Sequence, residues 1–276
     1  MSSVSTRWHA SRNSAFYNES LLTQFQRDRI DVILVSPRNP LNIGAVARAM
    51  ANFGFEQLSV IAPYEPHWRE AKSAIGAQDL LQNSKTWERL EEAVADCTLV
   101  IGTGTLTHRK AEQKVVILPA LAPLIEQELE RGGRIAIIFG PEKHGLTRED
   151  LSYCHVLVEI PTDTRQPSMN LGQAVAVCLY ELATRALSPA DRNDAAQDQP
   201  ARRHPVPSTP SASLDRLADV IEEAMTEAGY SPRIMHAANR HDLQLLLRRL
   251  QLNVVDTRRA MGLFRRIVWR LKHINR

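Results

Sequence analysis

Cysteine is scarce in this sequence: Cys97, Cys154 and Cys178 are the only thiols in 276 residues. They are too few and too scattered for a disulfide framework or a zinc site. A reducing cytoplasm is therefore the expected compartment, and Cys154 and Cys178 are expected to act as small buried hydrophobes. Also missing is any run of about 18 apolar residues, which argues against a transmembrane helix. The N-terminal stretch is polar and lacks the apolar core of a signal peptide. There is no GxGxxG fingerprint, no Walker A loop and no GxSxG elbow, so dinucleotide-dependent oxidoreductases and serine hydrolases lack their motifs. His144 and His155 lack metal-ligand spacing; they read as surface or structural histidines, and no metal is expected. What is present is ordinary for a globular chain: 43% hydrophobic and 24% charged residues, enough for one or two domains with ample surface to bury.

The charge is unevenly placed. From Arg233 to the end, eleven cations face only Asp242 and Asp256, a balance of +9. With a net charge of +3, the other 232 residues must sum to −6. A basic end on an acidic body suits a polyanionic partner contacted from one side.

Residues 1–29 read as a flexible arm. From Ile30 the pattern changes to Val- and Ile-rich runs at 30–35, 58–61, 98–102, 134–139 and 156–160, apolar nearly throughout, as strands covered on both faces are. Helical stretches at 43–52, 87–95, 119–131 and 171–186 lie between or after them. The alternation predicts an α/β domain over 30–187 with a mostly parallel sheet. Five prolines between Ser188 and Ser213 mark a linker over 188–213, stiffened and poor in large apolar side chains. Residues 214–276 read as a small helical C-terminal domain with helices at 214–228, 242–252 and 254–273. In the last, Ala260, Met261, Leu263, Phe264, Ile267, Val268 and Leu271 fall on one half, opposite Arg258, Arg259, Arg265, Arg266, Arg270 and Lys272. The arginine face is a candidate RNA-backbone contact. The apolar face suits packing on a neighbouring element better than a membrane.

Ligands of open α/β sheets bind at the carboxyl ends of strands. Four predicted strands are followed by polar, glycine and proline clusters: 36–48, 102–105, 140–146 and 161–171. Glycine in such turns lets backbone amides approach a ligand closely.

Within these clusters, Asn42-x-Gly44-x-x-x-Arg48, Phe139-Gly140-x-Glu142-x-x-Gly145-Leu146, and Ile160-Pro161 followed by Ser168-Met169-Asn170-Leu171 resemble the three ordered motifs of the SpoU branch of the SPOUT RNA methyltransferases. Within that branch the chain is similar to the TrmJ-type tRNA 2′-O-methyltransferases. The resemblance covers residues 30–186, and a helical extension after a linker carries it weakly to the end. It implies a trefoil knot in the C-terminal part of the α/β domain, S-adenosylmethionine held in the knot, and a homodimer with its active site near the subunit interface. It assigns catalysis to Asn42, Arg48, Ser168 and Asn170. It places Thr103, Gly104, Thr105, Gly140, Glu142, Ile160, Pro167, Ser168 and Met169 around the cofactor, with Glu142 ordering its neighbouring loop and Gly44 allowing a tight helix entry. Pro167 departs from the serine that relatives often carry; it has no N–H, so no cofactor contact can run through that amide.

The implied reaction moves a methyl group to a ribose 2′-hydroxyl of tRNA, with anticodon-loop nucleotide 32 as the expected target. Arginine is a poor base, since its unperturbed pKa lies above about 12. Arg48 is therefore expected to grip a substrate phosphate and polarise the hydroxyl. The alternatives are a ribosomal-RNA ribose methyltransferase of the same superfamily and a non-catalytic RNA-binding module.

Overall fold

Side chains branched at Cβ favour extended backbone, and the five Val- and Ile-rich runs are strands in the computed structural model, which describes residues 22–104, 112–184, 206–230 and 236–274. They are β1 (Ile30–Val35), β2 (Leu58–Ile61), β4 (Leu99–Thr103), β6 (Ile135–Phe139) and β7 (Val156–Glu159). Two further strands, β3 (Lys85–Trp87) and β5 (Lys114–Ile117), complete a seven-stranded sheet in the order β3-β2-β1-β6-β4-β7-β5. Every pairing is parallel. β1, near the middle, is buried along its whole length.

The two additional strands are the edges. Where periodicity predicts a helix over 87–95, Lys85–Trp87 is extended and pairs with β2, and the Trp87 indole N–H donates to the Ser59 hydroxyl at 3.2 Å. Only Leu90–Ala93 remains helical. β5 leaves Val115 and Ile117 exposed, so it lacks the apolar continuity that marks a central strand.

The helices of the α/β part are α1 (Gln24–Arg27), α2 (Pro40–Phe53), α3 (Gln78–Asn83), α4 (Leu90–Ala93), α5 (Leu121–Glu130), α6 (Arg148–Ser152) and α7 (Leu171–Thr184). One face of the sheet is covered by α2, α5 and α7, which bury Ile43, Met50, Ile125 and Leu179 over Val32 and Leu34. The other is covered from α4 and α6, around Leu90, Val94, Cys97 and Cys154. All three cysteines are free and buried. Of the expected N-terminal arm, residues 1–21 lie outside the described residues. Leu22 already enters the core, and Thr23 caps α1 with a reciprocal capping box.

Three helices follow: α8 (Ser211–Glu227), α9 (His236–Arg249) and α10 (Val254–Ile274). Residues 188–205 of the expected linker lie outside the described residues. Its end is ordered, and α8 starts three residues before the predicted 214. The Ser211 N–H donates to the Cys97 carbonyl at 2.9 Å and the Ala212 N–H to that of Ala95 at 3.1 Å, so the helix entry is stitched to the start of β4. A buried ion pair joins α8 to α9: Arg248 meets Asp215 at 2.9 Å, with side-chain exposures of 0% and 7%. The guanidinium also lies over the Tyr153 ring, 5.2 Å from its centroid. The predicted apolar face of α10 is only partly covered, because Leu263 and Ile267 are exposed. Among the described residues, no helix is long and apolar enough to cross a membrane.

Candidate active site

The four sequence clusters meet because β1, β6, β4 and β7 are adjacent and parallel, so their carboxyl ends lie together. After β1, Asn39 caps α2, its side chain accepting from the Leu41 N–H at 2.9 Å, and Pro40 occupies the first turn. This cap places Asn42 in the first turn of α2. After β7 the chain crosses 160–170 and enters α7, where Asn170 Oδ1 accepts from the N–H groups of Gly172 at 2.9 Å and Gln173 at 3.4 Å. Its amide nitrogen donates to Asn42 Oδ1 at 3.0 Å. Asn42 Nδ2 in turn donates to Glu142 Oε1 at 2.8 Å. A relay thus runs from the start of α7 through two side-chain amides to a carboxylate.

Glu142 also accepts from the main chain after β1, from Arg38 N–H at 3.1 Å and Asn39 N–H at 3.2 Å. Burial alone would raise its pKa. The hydrogen bonds from Asn42 and from the N–H groups of Glu142 itself, Arg38 and Asn39 outweigh that and hold the carboxyl below its ordinary value. Glu142 is therefore an ionised acceptor that ties the first and second clusters together.

Three glycines set the spacing. A Cβ on Gly140 would strike the backbone of Gly145 and Leu146, so the 140–146 loop can fold back on itself only there. Gly44 does not serve the helix entry, as the sequence led us to expect. It lies inside α2, where a Cβ would strike the Ser73 hydroxyl and come within 2.9 Å of the Ala74 nitrogen. Its role is to admit the 71–74 segment. Gly172 brings α7 against α2: a Cβ there would lie 2.8 Å from that of Ala45.

Beside the relay lies a pocket of about 270 Å³. Of the nine residues expected around the cofactor, Thr103, Gly104, Gly140, Glu142, Ile160, Pro167, Ser168 and Met169 line it. Thr105 lies outside the described residues. The Thr103 hydroxyl donates to the Ile138 carbonyl at 2.9 Å, and a Cβ on Gly104 would meet nothing within 4 Å. The Thr162 hydroxyl donates to the Pro167 carbonyl at 3.2 Å, drawing the 161–168 loop into a ring beside the pocket.

Arg48 is on α2 but not in the lining; it is exposed and makes no ion pair among the described residues. Ser168 is exposed at the pocket edge. Sequence reasoning missed Lys143, His144, Thr162 and Ala174, all of which line the pocket. The first two sit inside a cluster already marked by its place after a strand, whereas Ala174 carries no sequence signal at all. His144 is a pocket residue, while His155 is structural: its Nδ1 accepts from the Val100 N–H at 3.1 Å, and burial, with the charge of Arg248, drives its pKa down to about 3. Among the described residues no group of His, Cys, Asp and Glu could hold a metal ion.

The five arginines of α10 are exposed. Arg259 pairs with Asp256 at 3.5 Å, and Arg266 lies 4.3 Å over the Trp269 ring.

The sequence pattern of the SpoU rRNA Methylase family matches residues 29–180. The chain is 40% identical over 158 residues to the tRNA (cytidine-2'-O-)-methyltransferase TrmJ of Methanocaldococcus jannaschii, which spans 56% of this chain and 68% of that one. It is 36% identical over 197 residues to the tRNA (cytidine/uridine/adenosine-2'-O-)-methyltransferase TrmJ of Pseudomonas aeruginosa, over 71% and 74% of the two chains. The crystal structure of TrmJ from Z. mobilis superposes with a TM-score of 0.72 at 27% identity, covering 86% of this chain and 98% of the other.

Proposed function

Because the chain belongs to the SpoU methylase family, we propose that it methylates the ribose 2′-hydroxyl of a tRNA nucleotide, at position 32 of the anticodon loop. The observation that carries this reading is the Asn170–Asn42–Glu142 relay at the edge of the glycine-walled pocket. The tRNA substrate and the ribose oxygen follow the activities for which the relatives from M. jannaschii and P. aeruginosa are named.

Methylases of this family take their methyl group from S-adenosylmethionine, which when bound supplies an electrophilic sulfonium methyl. The pocket fits such a donor. Leu146, Ile160, Met169 and Leu171 give apolar walls, while Gly104 leaves backbone open for a nucleoside edge. The chain's own work is alignment, which in model systems is worth up to about 7–11 kcal/mol. Glu142 and the two asparagines fix the mouth of the pocket. The planar fork of Arg48 grips the phosphate beside the target ribose and polarises its hydroxyl. Glu142 is not the base, since both carboxylate oxygens already accept hydrogen bonds that favour the ionised form.

Two further parts belong to this reading. One is a homodimer in the cytoplasm, with α2 and α7 at the interface. These helices carry Asn42, Arg48 and the residues after Asn170, yet leave Leu41, Val177 and Tyr180 exposed. The other is a trefoil knot formed where the 140–146 and 160–170 loops surround the pocket. The exposed arginines of α10 contact the RNA backbone.

The test is incubation with labelled S-adenosylmethionine and either unfractionated tRNA or ribosomal RNA, followed by mapping of the methylated ribose. Label at nucleotide 32 of tRNA is the expected result. Label confined to ribosomal RNA would favour the second reading, to which the family's own name points.

A further inference from the structure

A second pocket, of about 420 Å³, lies between the start of α8 and the middle of α10. Its apolar part is formed by Pro210, Val254 and Met261, and three arginines reach its lining: Arg216, Arg258 and Arg265. Beneath them Thr209 and Thr257, both buried, share a hydroxyl hydrogen bond of 2.8 Å. The Arg216 guanidinium donates to the Ser213 hydroxyl at 2.9 Å, which holds it at the rim.

The carboxylates of the three-helix unit are engaged elsewhere. Asp215 holds Arg248, Asp219 and Glu222 hold Arg240, Asp256 meets Arg259, and Glu223 meets Lys272. None of the three pocket arginines has an ion pair among the described residues. Gly262 also belongs to the lining. Glycine inside a helix costs about 1 kcal/mol relative to alanine, and here packing does not require it, since a Cβ would meet nothing within 4 Å. The effect of the missing side chain is to keep the pocket open.

Three cations around an apolar floor match one chemistry, that of a nucleotide: an anionic phosphodiester with a flat base. We propose that this pocket holds an unpaired nucleotide of the RNA substrate, its phosphates on Arg216, Arg258 and Arg265 and its base over Val254 and Met261. The inference rests on the reading of the chain as an RNA methyltransferase. The bound nucleotide is not the methylated one. Cys97, which anchors α8, precedes the first residue of β4, while Thr103 at the other end of that strand lines the cofactor pocket. Leu99 and Thr103, four strand steps apart, are separated by about 13 Å. The pocket is thus a second grip that sets the register of the RNA.

The test uses the full-length protein with S-adenosylmethionine and a fluorescently labelled tRNA transcript, titrated across a salt series. Gly262→Met fills the pocket without changing charge and improves helix propensity. It should weaken RNA binding about tenfold, through the lost apolar contact to the base, and leave the salt slope unchanged. Arg216→Ala should lower that slope by about one. Wild-type affinity in Gly262→Met would overturn the proposal. So would displacement of the transcript by inorganic phosphate as readily as by a short oligonucleotide, which would mark a simple anion site. Calorimetry with S-adenosylmethionine separates the two levels. A wild-type protein that binds the donor but no RNA overturns the RNA reading and the pocket with it. A wild-type protein that methylates tRNA while both variants bind normally removes the pocket alone.

Discussion

Asn170 and Asn42, 128 residues apart, face each other at the starts of α7 and α2, the amide nitrogen of the first donating to the side-chain carbonyl of the second at 3.0 Å. The direction of this bond follows from its two ends. Glu142 is an acceptor, so Asn42 must turn its nitrogen to it; the free N–H groups of α7 are donors, so Asn170 must turn its oxygen to them. Neither amide can flip without breaking a bond at each side.

Removing the middle of this relay should therefore be felt in catalysis more than in folding. Asn42→Ala leaves Glu142 short of a hydrogen bond to a charged group, worth about 1.5–3 kcal/mol. Methyl transfer should fall by one to two orders of magnitude, while calorimetry with S-adenosylmethionine shows donor affinity nearly unchanged. Wild-type turnover would remove the relay from the mechanism.

Arg48 offers a sharper distinction, since it is exposed and its replacement threatens no packing. Lysine retains the charge but loses the planar fork. Single-turnover methyl transfer by Arg48→Lys should drop at least about tenfold, as loss of one charge-assisted hydrogen bond implies. An undiminished rate would show that a point charge suffices.

The packing of α8 on α9 depends on Asp215. Asp215→Asn leaves Arg248, which is wholly buried, without its counter-charge, and breaking a buried pair in this way costs about 3–5 kcal/mol. Urea unfolding should show the loss as a lower midpoint. The double replacement Arg248→Met with Asp215→Leu should recover most of it, because neither charge is then stranded.

His155 supplies a pH dependence with a definite sign. Its folded pKa of about 3, against 6.5 for the free side chain, means the unfolded chain takes up a proton that the folded chain refuses. The stability this histidine contributes is complete above about pH 6.5 and declines as pH falls toward 3, by about 1.4 kcal/mol per pH unit at the steepest. His155→Asn keeps an acceptor for the Val100 N–H and does not titrate. Its stability, followed by thermal unfolding between these limits, should fall less steeply with acidification than that of the parent.

Much of the candidate site is legible in the sequence. Central strands buried on both faces must be apolar nearly throughout, so β1 and β2 have the boundaries that the sequence predicts. Polar and glycine clusters directly after such strands must share one end of a parallel sheet, and eight of the nine expected cofactor residues meet there. The edge strands β3 and β5 were not legible, because a strand with one exposed side needs no apolar run and owes its extension to the partner beside it. The role of Gly44 was misjudged for a similar reason, since the 71–74 segment that crowds it is distant in sequence.

Local chemistry written along the chain therefore determined the alternation of strand and helix, the caps of α2 and α7, and which residues stand at the strand ends. Tertiary structure alone decided the orientation of the Asn42 and Asn170 amides, the burial of Arg248 against Asp215, and the convergence of Arg216 with Arg258 and Arg265. Each of these depends on groups from separate segments meeting in space. Hydrogen-bond direction and charge pairing are set by that meeting, and periodicity carries no trace of it.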